Sequence, residues 1–116
     1  MFSVNDKYIK EEKVEMYDSE GVHIQWLLSK NEGSTVSTMR KYTIKSKGKI
    51  PFHNHPWEHI IYVLKGTCEV LSGDTTTSAK SGDAIFIPEY EKHAYVNNSD
   101  DDFVFLCIIP NEGDKR

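Results

Sequence analysis

The sequence lacks a hydrophobic run that could cross a membrane as a helix. Its longest apolar stretch, residues 103–109, has seven residues and is followed by a proline, whereas a membrane-spanning helix needs about 20. The first twenty residues also lack the apolar segment of a secretory signal. We therefore expect neither a membrane partner nor export.

Cysteine is scarce as well, with only Cys68 and Cys107 in 116 residues. The two are far apart in the sequence and match neither a redox motif nor a zinc-binding pair. Cytosolic proteins keep their thiols reduced and rarely contain disulfides. Two isolated thiols without a secretory signal therefore predict a cytoplasmic location.

A basic cluster is missing too. The chain has 14 Lys and Arg against 18 Asp and Glu, which gives a formal net charge of -4. Nucleic-acid binding favours a concentrated basic face, so we expect no nucleic acid as a partner. The length suits one hydrophobic core but not two, and we predict a single domain over residues 1–116.

Helix patterns are weak and strand patterns are abundant. Only residues 5–16 could form a short polar helix. Eight short segments rich in β-branched and aromatic residues, separated by turn residues, predict strands. They are residues 22–28, 37–44, 59–65, 67–72, 74–79, 83–88, 93–97 and 103–109. This pattern is typical of an antiparallel sandwich or barrel, with a core over about residues 22–110.

Histidine is concentrated in one part of the chain. His53, His55 and His59 lie within seven positions, and His93 follows in a later predicted strand. Residues i and i+2 of a strand point to one face roughly 6.6 Å apart, so His53 and His55 can converge on one metal ion. A straight strand would leave His59 roughly 13 Å from His55, so Pro56 is the expected place for a bend.

The histidines stand in two motifs that resemble those of the cupin superfamily. The first, G-x5-HxH-x3,4-E-x6-G, corresponds to residues 48–66, with one residue fewer after the first glycine. The second, G-x5-P-x-G-x2-H-x3-N, corresponds to residues 82–97. The resemblance implies an all-β fold, the double-stranded β-helix or RmlC-like jelly-roll barrel of the cupins.

Two positions depart from the family pattern. Tyr90 replaces the second glycine of the second motif, so this turn is expected to form without the usual freedom for positive φ. His59 occupies the usual glutamate position, and Glu58 beside it is the rival ligand. Alternation along a strand turns these two side chains to opposite faces. We therefore prefer His59 as the ligand and expect Glu58 to face outward or to stand behind the ligands.

The resemblance is to small, single-domain prokaryotic cupins of the cupin-2 type that carry HxHPWEH. It implies one divalent metal ion bound by four ligands, namely His53, His55, His59 and His93. Imidazole suits iron, nickel, copper and zinc, and the resemblance favours manganese or iron. The alternatives are a surface cluster or a purely structural metal. Members of this subgroup are homodimers, and an outer sheet face with Ile61 and Val63, or their alternates, would suit a homodimer here.

Further pocket residues are suggested by strand alternation. Tyr95 shares the parity of His93 and should point inward. In the last strand, one of two alternating sets faces inward, and the resemblance favours the set with Phe105 and Cys107. Arg40 could bind a substrate carboxylate through its planar fork, although a solvated or ion-paired surface position is preferred for it. The sequence assigns no catalytic residue. The pocket candidates are Arg40, Tyr95, Phe105 and Cys107; plain core packing stays open for Tyr95 and Phe105, and an inert buried thiol for Cys107.

Four neutral imidazoles would leave a divalent ion its full charge, which favours anionic or enolate ligands. The first functional hypothesis is a metal-dependent dioxygenase or related oxidoreductase that acts on a small anionic or enolisable compound. The second is a module that binds or senses a small ligand without catalysis. The third is a Lewis-acid isomerase or lyase.

Overall fold

The computed structural model describes residues 1–116 and consists of a rolled antiparallel sheet with four single 3-10 turns. The strands are β1 Glu12–Lys13, β2 Glu20–Leu28, β3 Ser37–His53, β4 His59–Lys65, β5 Thr67–Ser72, β6 Thr75–Lys80, β7 Ala84–Ile87, β8 His93–Val96 and β9 Phe103–Pro110. The turns are Asp6–Tyr8, Met16–Asp18, Lys30–Glu32 and Asn111–Gly113. The all-β prediction is confirmed. No helical segment has the length and hydropathy that crossing a bilayer requires.

The strand order places β3 at the centre of the fold. The sheet runs β6-β5-β8-β3-β9-β4-β7, and β2 pairs with β3 away from this path. Residues 37–44 of β3 pair with β9, whereas residues 49–53 pair with β8. One long strand therefore joins the two parts of the barrel and carries its C-terminal residue, His53, to the partner His93.

Two predicted elements differ from those observed. The strand predicted over residues 37–44 continues to His53, because β8 pairs with residues that follow an apparent turn at Lys47 and Gly48. The possible helix over residues 5–16 is wrong. That segment forms one 3-10 turn and the short strand β1, and its backbone carbonyls accept hydrogen bonds from Gln25 rather than continuing a helix.

Side chains along β4 and β9 point alternately into the barrel interior and to the outside. In β9 the buried residues are Phe103, Phe105, Cys107 and Ile109, as the resemblance implied. In β4 the side chains of His59, Ile61 and Val63 point inward. The suggestion that Ile61 and Val63 lie on the outer face is wrong, because they share the parity of His59. Their alternates Ile60, Tyr62 and Leu64 are the exposed residues.

Candidate metal centre

The four predicted ligands lie together at one end of the barrel. His53 ends β3, His59 begins β4 and His93 begins β8, whereas His55 lies in the loop between β3 and β4. The ring centroids of His53 and His93 are 4.2 Å apart, and those of His59 and His93 are 4.9 Å apart. His55 lies 4.9 Å from His53 and 5.2 Å from His59.

Three of the four rings form a compact ligand group. Nitrogen atoms of His53, His55 and His93 all lie within 4.8 Å of one another. His59 stands next to this group as a buried side chain. The sequence prediction therefore names residues that the fold brings together, and binding of an ion by all four stays a prediction.

Hydrogen bonds at Nδ1 decide which nitrogen of each ring is free. His53 Nδ1 donates to the Pro51 carbonyl at 2.8 Å, and His93 Nδ1 donates to the Glu91 carbonyl at 2.9 Å. A carbonyl oxygen only accepts, so both rings carry their proton on Nδ1. Their Nε2 atoms then keep a lone pair, the form that binds a metal ion.

The other two rings have side-chain partners at Nδ1. His55 Nδ1 lies 3.3 Å from the Tyr17 hydroxyl, and His59 Nδ1 lies 3.2 Å from Cys107 Sγ. All four imidazoles are therefore held through Nδ1. None of their Nε2 atoms has a hydrogen-bond partner in the protein.

Two of these Nε2 atoms are buried without any hydrogen-bond partner, those of His59 and His93. Buried polar atoms are nearly always paired, because an unpaired one loses its hydration without compensation. A divalent cation would satisfy both atoms at once, and imidazole is a common ligand for such ions. The residues present therefore fit a metal ion.

Burial keeps the cluster neutral. Desolvation lowers the pKa of His53, lowers the pKa values of His55 and His93 to about 4, and lowers the pKa of His59 to about 2. Charge repulsion between the rings adds to this effect for His55 and His59. Neutral imidazoles expose a lone pair at pH 7, so protons compete little with a cation for these nitrogens.

The loop that carries His55 is fixed by Tyr90. The Tyr90 amide donates to the His55 carbonyl at 2.6 Å, and the Asn54 side-chain amide donates to the Tyr90 carbonyl. Tyr90 has a φ of 65° although it is not glycine. The turn therefore keeps a positive φ without the conformational freedom of glycine, because hydrogen bonds on both sides hold Tyr90 in the left-handed region.

Glu58 and His59 face opposite sides, as alternation predicts. Glu58 is exposed, whereas His59 is buried and points toward His93. Trp57, the residue before Glu58, has its indole stacked on His55 with ring centroids 4.8 Å apart. Glu58 therefore does not join the histidine cluster.

Arg40 is buried next to the histidines. Its Nη1 donates to the Tyr42 hydroxyl at 2.8 Å and its Nη2 contacts Cys107 Sγ at 3.0 Å, whereas its Nε has no partner. None of the ion pairs in the structure involves Arg40. The preferred surface position for Arg40 is therefore wrong. The reason is that Arg40 pairs with Cys107 across β3 and β9 and shares its inward parity.

One cavity of about 440 Å³ joins the histidines, Arg40 and a set of aromatic side chains. Tyr95, Phe105 and Cys107 line it, as the sequence suggested. Burial raises the pKa values of Tyr42 and Tyr95, so both phenols stay neutral. The aromatic side chains of the wall are Tyr17, Trp26, Tyr42, Trp57, Tyr95 and Phe105.

Several of these wall residues were missed from the sequence. Trp26 has the inward parity of Ile24 on β2, which could have identified it. The C-terminal Arg116 also lines the cavity, with its guanidinium 3.9 Å from the Trp26 ring and an ion pair to the buried Asp114. No sequence pattern points to Arg116 or to Tyr17, because neither belongs to a strand.

Comparison with known proteins identifies the family. A family model described as Cupin domain matches residues 40–109. Among solved structures, the polyketide cyclase RemF from Streptomyces resistomycificus has a TM-score of 0.90 and 29% identity, covering 96% of this chain and 80% of that one. No curated protein matches the sequence.

More distant structures share the fold alone. A predicted oxalate decarboxylase from Thermotoga maritima has a TM-score of 0.84 and 24% identity, over 94% of this chain and 98% of that one. KdgF from Halomonas sp. has a TM-score of 0.79 and 19% identity, over 96% of this chain and 94% of that one. The family match and these folds agree with the two motifs, and the chain belongs to the cupin family, with the double-stranded β-helix fold.

Proposed function

We propose that this cupin is a metal-dependent enzyme that acts on a small, planar, enolisable anion. One divalent ion would be held by His53, His55, His59 and His93, with manganese or iron favoured and nickel, copper or zinc possible. The observation that carries the proposal is the shared cavity, in which free imidazole nitrogens face the same space as a buried guanidinium without a carboxylate partner.

Arg40 supports an anionic substrate. A buried charge without a counter-charge is costly, since it has lost its hydration. Arg40 has neutral partners in Tyr42 and Cys107, and its Nε is still unpaired. A carboxylate or enolate oxygen in the cavity would offset this cost and bind the planar fork.

The walls support a planar substrate. Tyr42, Phe105 and Tyr95 form a continuous stack, with ring centroids 5.3 and 5.2 Å apart. Trp26 and Trp57 also line the cavity, each with one ring face already covered, Trp26 by Arg116 and Trp57 by His55. Aromatic walls bind flat conjugated molecules and exclude water, and the volume lies in the usual range of roughly 300–1,000 Å³ for small-molecule sites.

A bound divalent ion would supply Lewis-acid chemistry by polarising a substrate carbonyl. The protein's own residues would place that carbonyl: Arg40 binds the anionic group, and the aromatic wall that includes Tyr42 limits the plane of the molecule. RemF is a polyketide cyclase, and 29% identity to it supports a reaction that needs no oxygen. Oxygen-dependent cleavage of the same enolate, as in a dioxygenase, is the second candidate.

Aerobic and anaerobic assays separate the two reactions. Metal-reconstituted protein is incubated with a panel of diketones, keto acids and polyphenols, while product and dissolved oxygen are followed. Product formation without oxygen supports the Lewis-acid reaction, and product only with oxygen consumption supports the dioxygenase. Tight binding without turnover across the panel would refute the enzyme and leave a ligand-binding module.

Two matched variants test the ligand assignment. His59→Ala should lower the metal content well below one ion per chain and abolish turnover, because it removes one of the four nitrogen donors. Glu58→Ala should keep both, since Glu58 is exposed on the opposite side of the strand. A full metal content in His59→Ala together with a loss of metal in Glu58→Ala would show that Glu58, not His59, binds the ion.

A further inference from the structure

An N-terminal segment, residues 12–17, lines one side of the cavity. Its strand β1 pairs with β2 through Glu12 and Lys13, and the 3-10 turn Met16–Asp18 follows. Residues from Glu12 to Tyr17 line the cavity together with the histidines. The segment therefore lies against the site as an extension of the sheet beyond β2.

The turn in this segment is strained. Tyr17 and Asp18 have φ values of 58° and 60°, so two consecutive residues with side chains occupy the left-handed region. Each costs roughly 1–2 kcal/mol relative to ordinary backbone. Such strain persists only where other contacts compensate for it, and it is typical of functional sites.

This conformation places the Tyr17 side chain against two histidines of the cluster. The Tyr17 ring stacks on His53 with centroids 4.3 Å apart and planes at 14°. It also packs edge-on against His55 at 5.5 Å. The Tyr17 hydroxyl lies 3.3 Å from His55 Nδ1.

His55 depends on this contact more than the other ligands depend on theirs. His53 and His93 are anchored by backbone carbonyls, and His59 lies in the buried interior beside Cys107. His55 comes from a loop, is only half-buried, and has the Tyr17 hydroxyl as its Nδ1 partner. Trp57 stacks on its ring but cannot determine which nitrogen faces the cluster.

We propose that Tyr17 is a positioning residue for the metal centre: its hydroxyl accepts the Nδ1 proton of His55 and thereby presents His55 Nε2 to the ion. Its ring, stacked on His53, covers the same side of the centre and slows exchange of the ion. This inference rests on the proposed four-histidine site. Outer partners of metal-bound histidines typically change metal affinity by roughly 10–100-fold.

Tyr17→Phe tests the contribution of the hydroxyl separately from that of the ring. The variant keeps the stack on His53 and removes the acceptor for His55. We expect about a 10-fold loss of affinity for Co²⁺ in competition with a chromophoric chelator, and a shift of the visible Co²⁺ absorption. Tyr17→Ala also removes the cover, and we expect in addition a release rate to excess chelator that is about 10-fold faster than in the wild type.

Tyr8→Phe is the matched control, because Tyr8 is an exposed tyrosine of the same N-terminal region and does not line the cavity. It should leave affinity, spectrum and release rate unchanged. The thermal stability of the metal-free Tyr17→Phe protein should also match the wild type, which distinguishes positioning from a general structural role.

The outcomes distinguish this inference from the proposed function. If wild-type protein binds no Co²⁺ at one ion per chain, the metal site itself is refuted. If the wild type binds one ion and Tyr17→Phe has the same affinity and spectrum, only the role of Tyr17 is overturned. A Tyr17→Ala release rate equal to that of Tyr17→Phe would overturn the covering role of the ring.

Discussion

Arg40 is a buried charge that has no charged partner in the protein. Its guanidinium is buried and pairs with a phenol and a thiol instead of a carboxylate. Replacing a buried charge by an apolar side chain of similar volume is often neutral or stabilising. Residues that serve a ligand are commonly kept despite such a cost.

We therefore predict that Arg40→Met raises the free energy of unfolding by about 1 kcal/mol and abolishes binding of anionic ligands. Chemical denaturation of the metal-free protein measures the first effect, and ligand titration of the metal-loaded protein measures the second. Arg40→Lys is the control: it keeps the charge and should not gain stability. A destabilised Arg40→Met protein would mean that Arg40 is a structural residue.

Tyr90 is a second residue with a conformational cost. Its left-handed backbone supports the loop of His55 through the Tyr90 amide, whereas its side chain is exposed. A non-glycine residue in this region costs roughly 1–2 kcal/mol, and glycine removes that cost.

We predict that Tyr90→Gly raises the stability by about 1 kcal/mol, which corresponds to a rise in Tm of roughly 4 °C for a chain of this size. Tyr90→Ala is the matched comparison, because it removes the same side chain and keeps the strain. The Gly variant should therefore be more stable than the Ala variant by about 1 kcal/mol. Equal stabilities would show that the backbone at this position is unstrained.

At the scale of the elements, the turns that join the strands set the register of the barrel. Gly66 joins β4 to β5 with a φ of 84°, and a Cβ there would approach the Asp102 carbonyl oxygen to 2.2 Å. Gly82 precedes β7 with a φ of 94°, and a Cβ there would meet no atom within 4 Å. Both glycines therefore have a positive φ, but only at Gly66 would a side chain also clash with the neighbouring backbone.

Alanine substitutions at both glycines separate backbone strain from steric overlap. We predict that Gly82→Ala destabilises the protein by about 1 kcal/mol, the cost of a left-handed residue alone. Gly66→Ala should cost about 3 kcal/mol, because the backbone of Asp102 must also move. Urea unfolding measures both, and equal losses would contradict the close approach of Gly66 to Asp102.

The strand elements were predictable where a local pattern decides the structure. β4 and β9 are runs rich in β-branched and aromatic residues, and their observed bounds agree closely with the predicted ones. The continuation of β3 to His53 was not predictable, because a glycine and a proline in residues 45–53 resemble a turn. Pairing with β8 overrides that local preference.

The site shows the same division between local and tertiary information. The four histidines could be found because their spacing and motifs are local features. Arg40 was misjudged because its alternation relative to Cys107 depends on the pairing of β3 with β9. Tyr17 could not be found at all, since its contacts arise from two left-handed residues in a turn that no pattern marks.

At the scale of the whole molecule, one outer sheet face is unusually apolar. Ile60, Tyr62 and Phe86 are each about half exposed, at 49%, 48% and 57%, and they lie on the paired strands β4 and β7. Ile108 extends this face on β9, opposite Ile60. Large exposed apolar patches mark interaction sites. We expect a second copy of the chain to cover this face in a homodimer.

The homodimer can be tested by light scattering coupled to gel filtration. Wild-type protein should elute at twice the chain mass, and Tyr62→Glu should shift it to the monomer because a charge would be buried at the interface. Tyr8→Glu changes an exposed tyrosine outside this face and should leave the dimer intact. A monomeric wild type at about 100 µM would refute the homodimer, since obligate interfaces hold at far lower concentration.

The histidine cluster gives the whole molecule a pH-dependent stability. The folded-state pKa values of His93 and His59 are lowered by burial from 6.5 to about 4 and about 2, respectively. Below pH 6.5 the unfolded chain takes up protons at these histidines, whereas the folded chain does not until the pH approaches its lowered values. Protons therefore favour the unfolded state, and stability falls as the pH falls.

We predict that the metal-free protein loses stability from about pH 6.5 down to about pH 4, with a slope approaching about 1.4 kcal/mol per pH unit for each of these two buried histidines. Urea unfolding at a series of pH values measures the slope, and His59→Gln should reduce it by the share of one histidine. A divalent metal ion should raise the stability at pH 7, because it binds only the folded state. Stability that stays constant between pH 6.5 and 4 would show that the folded protein accepts charged imidazoles. In that case the buried nitrogens would not form the neutral ligand set on which a metal centre depends.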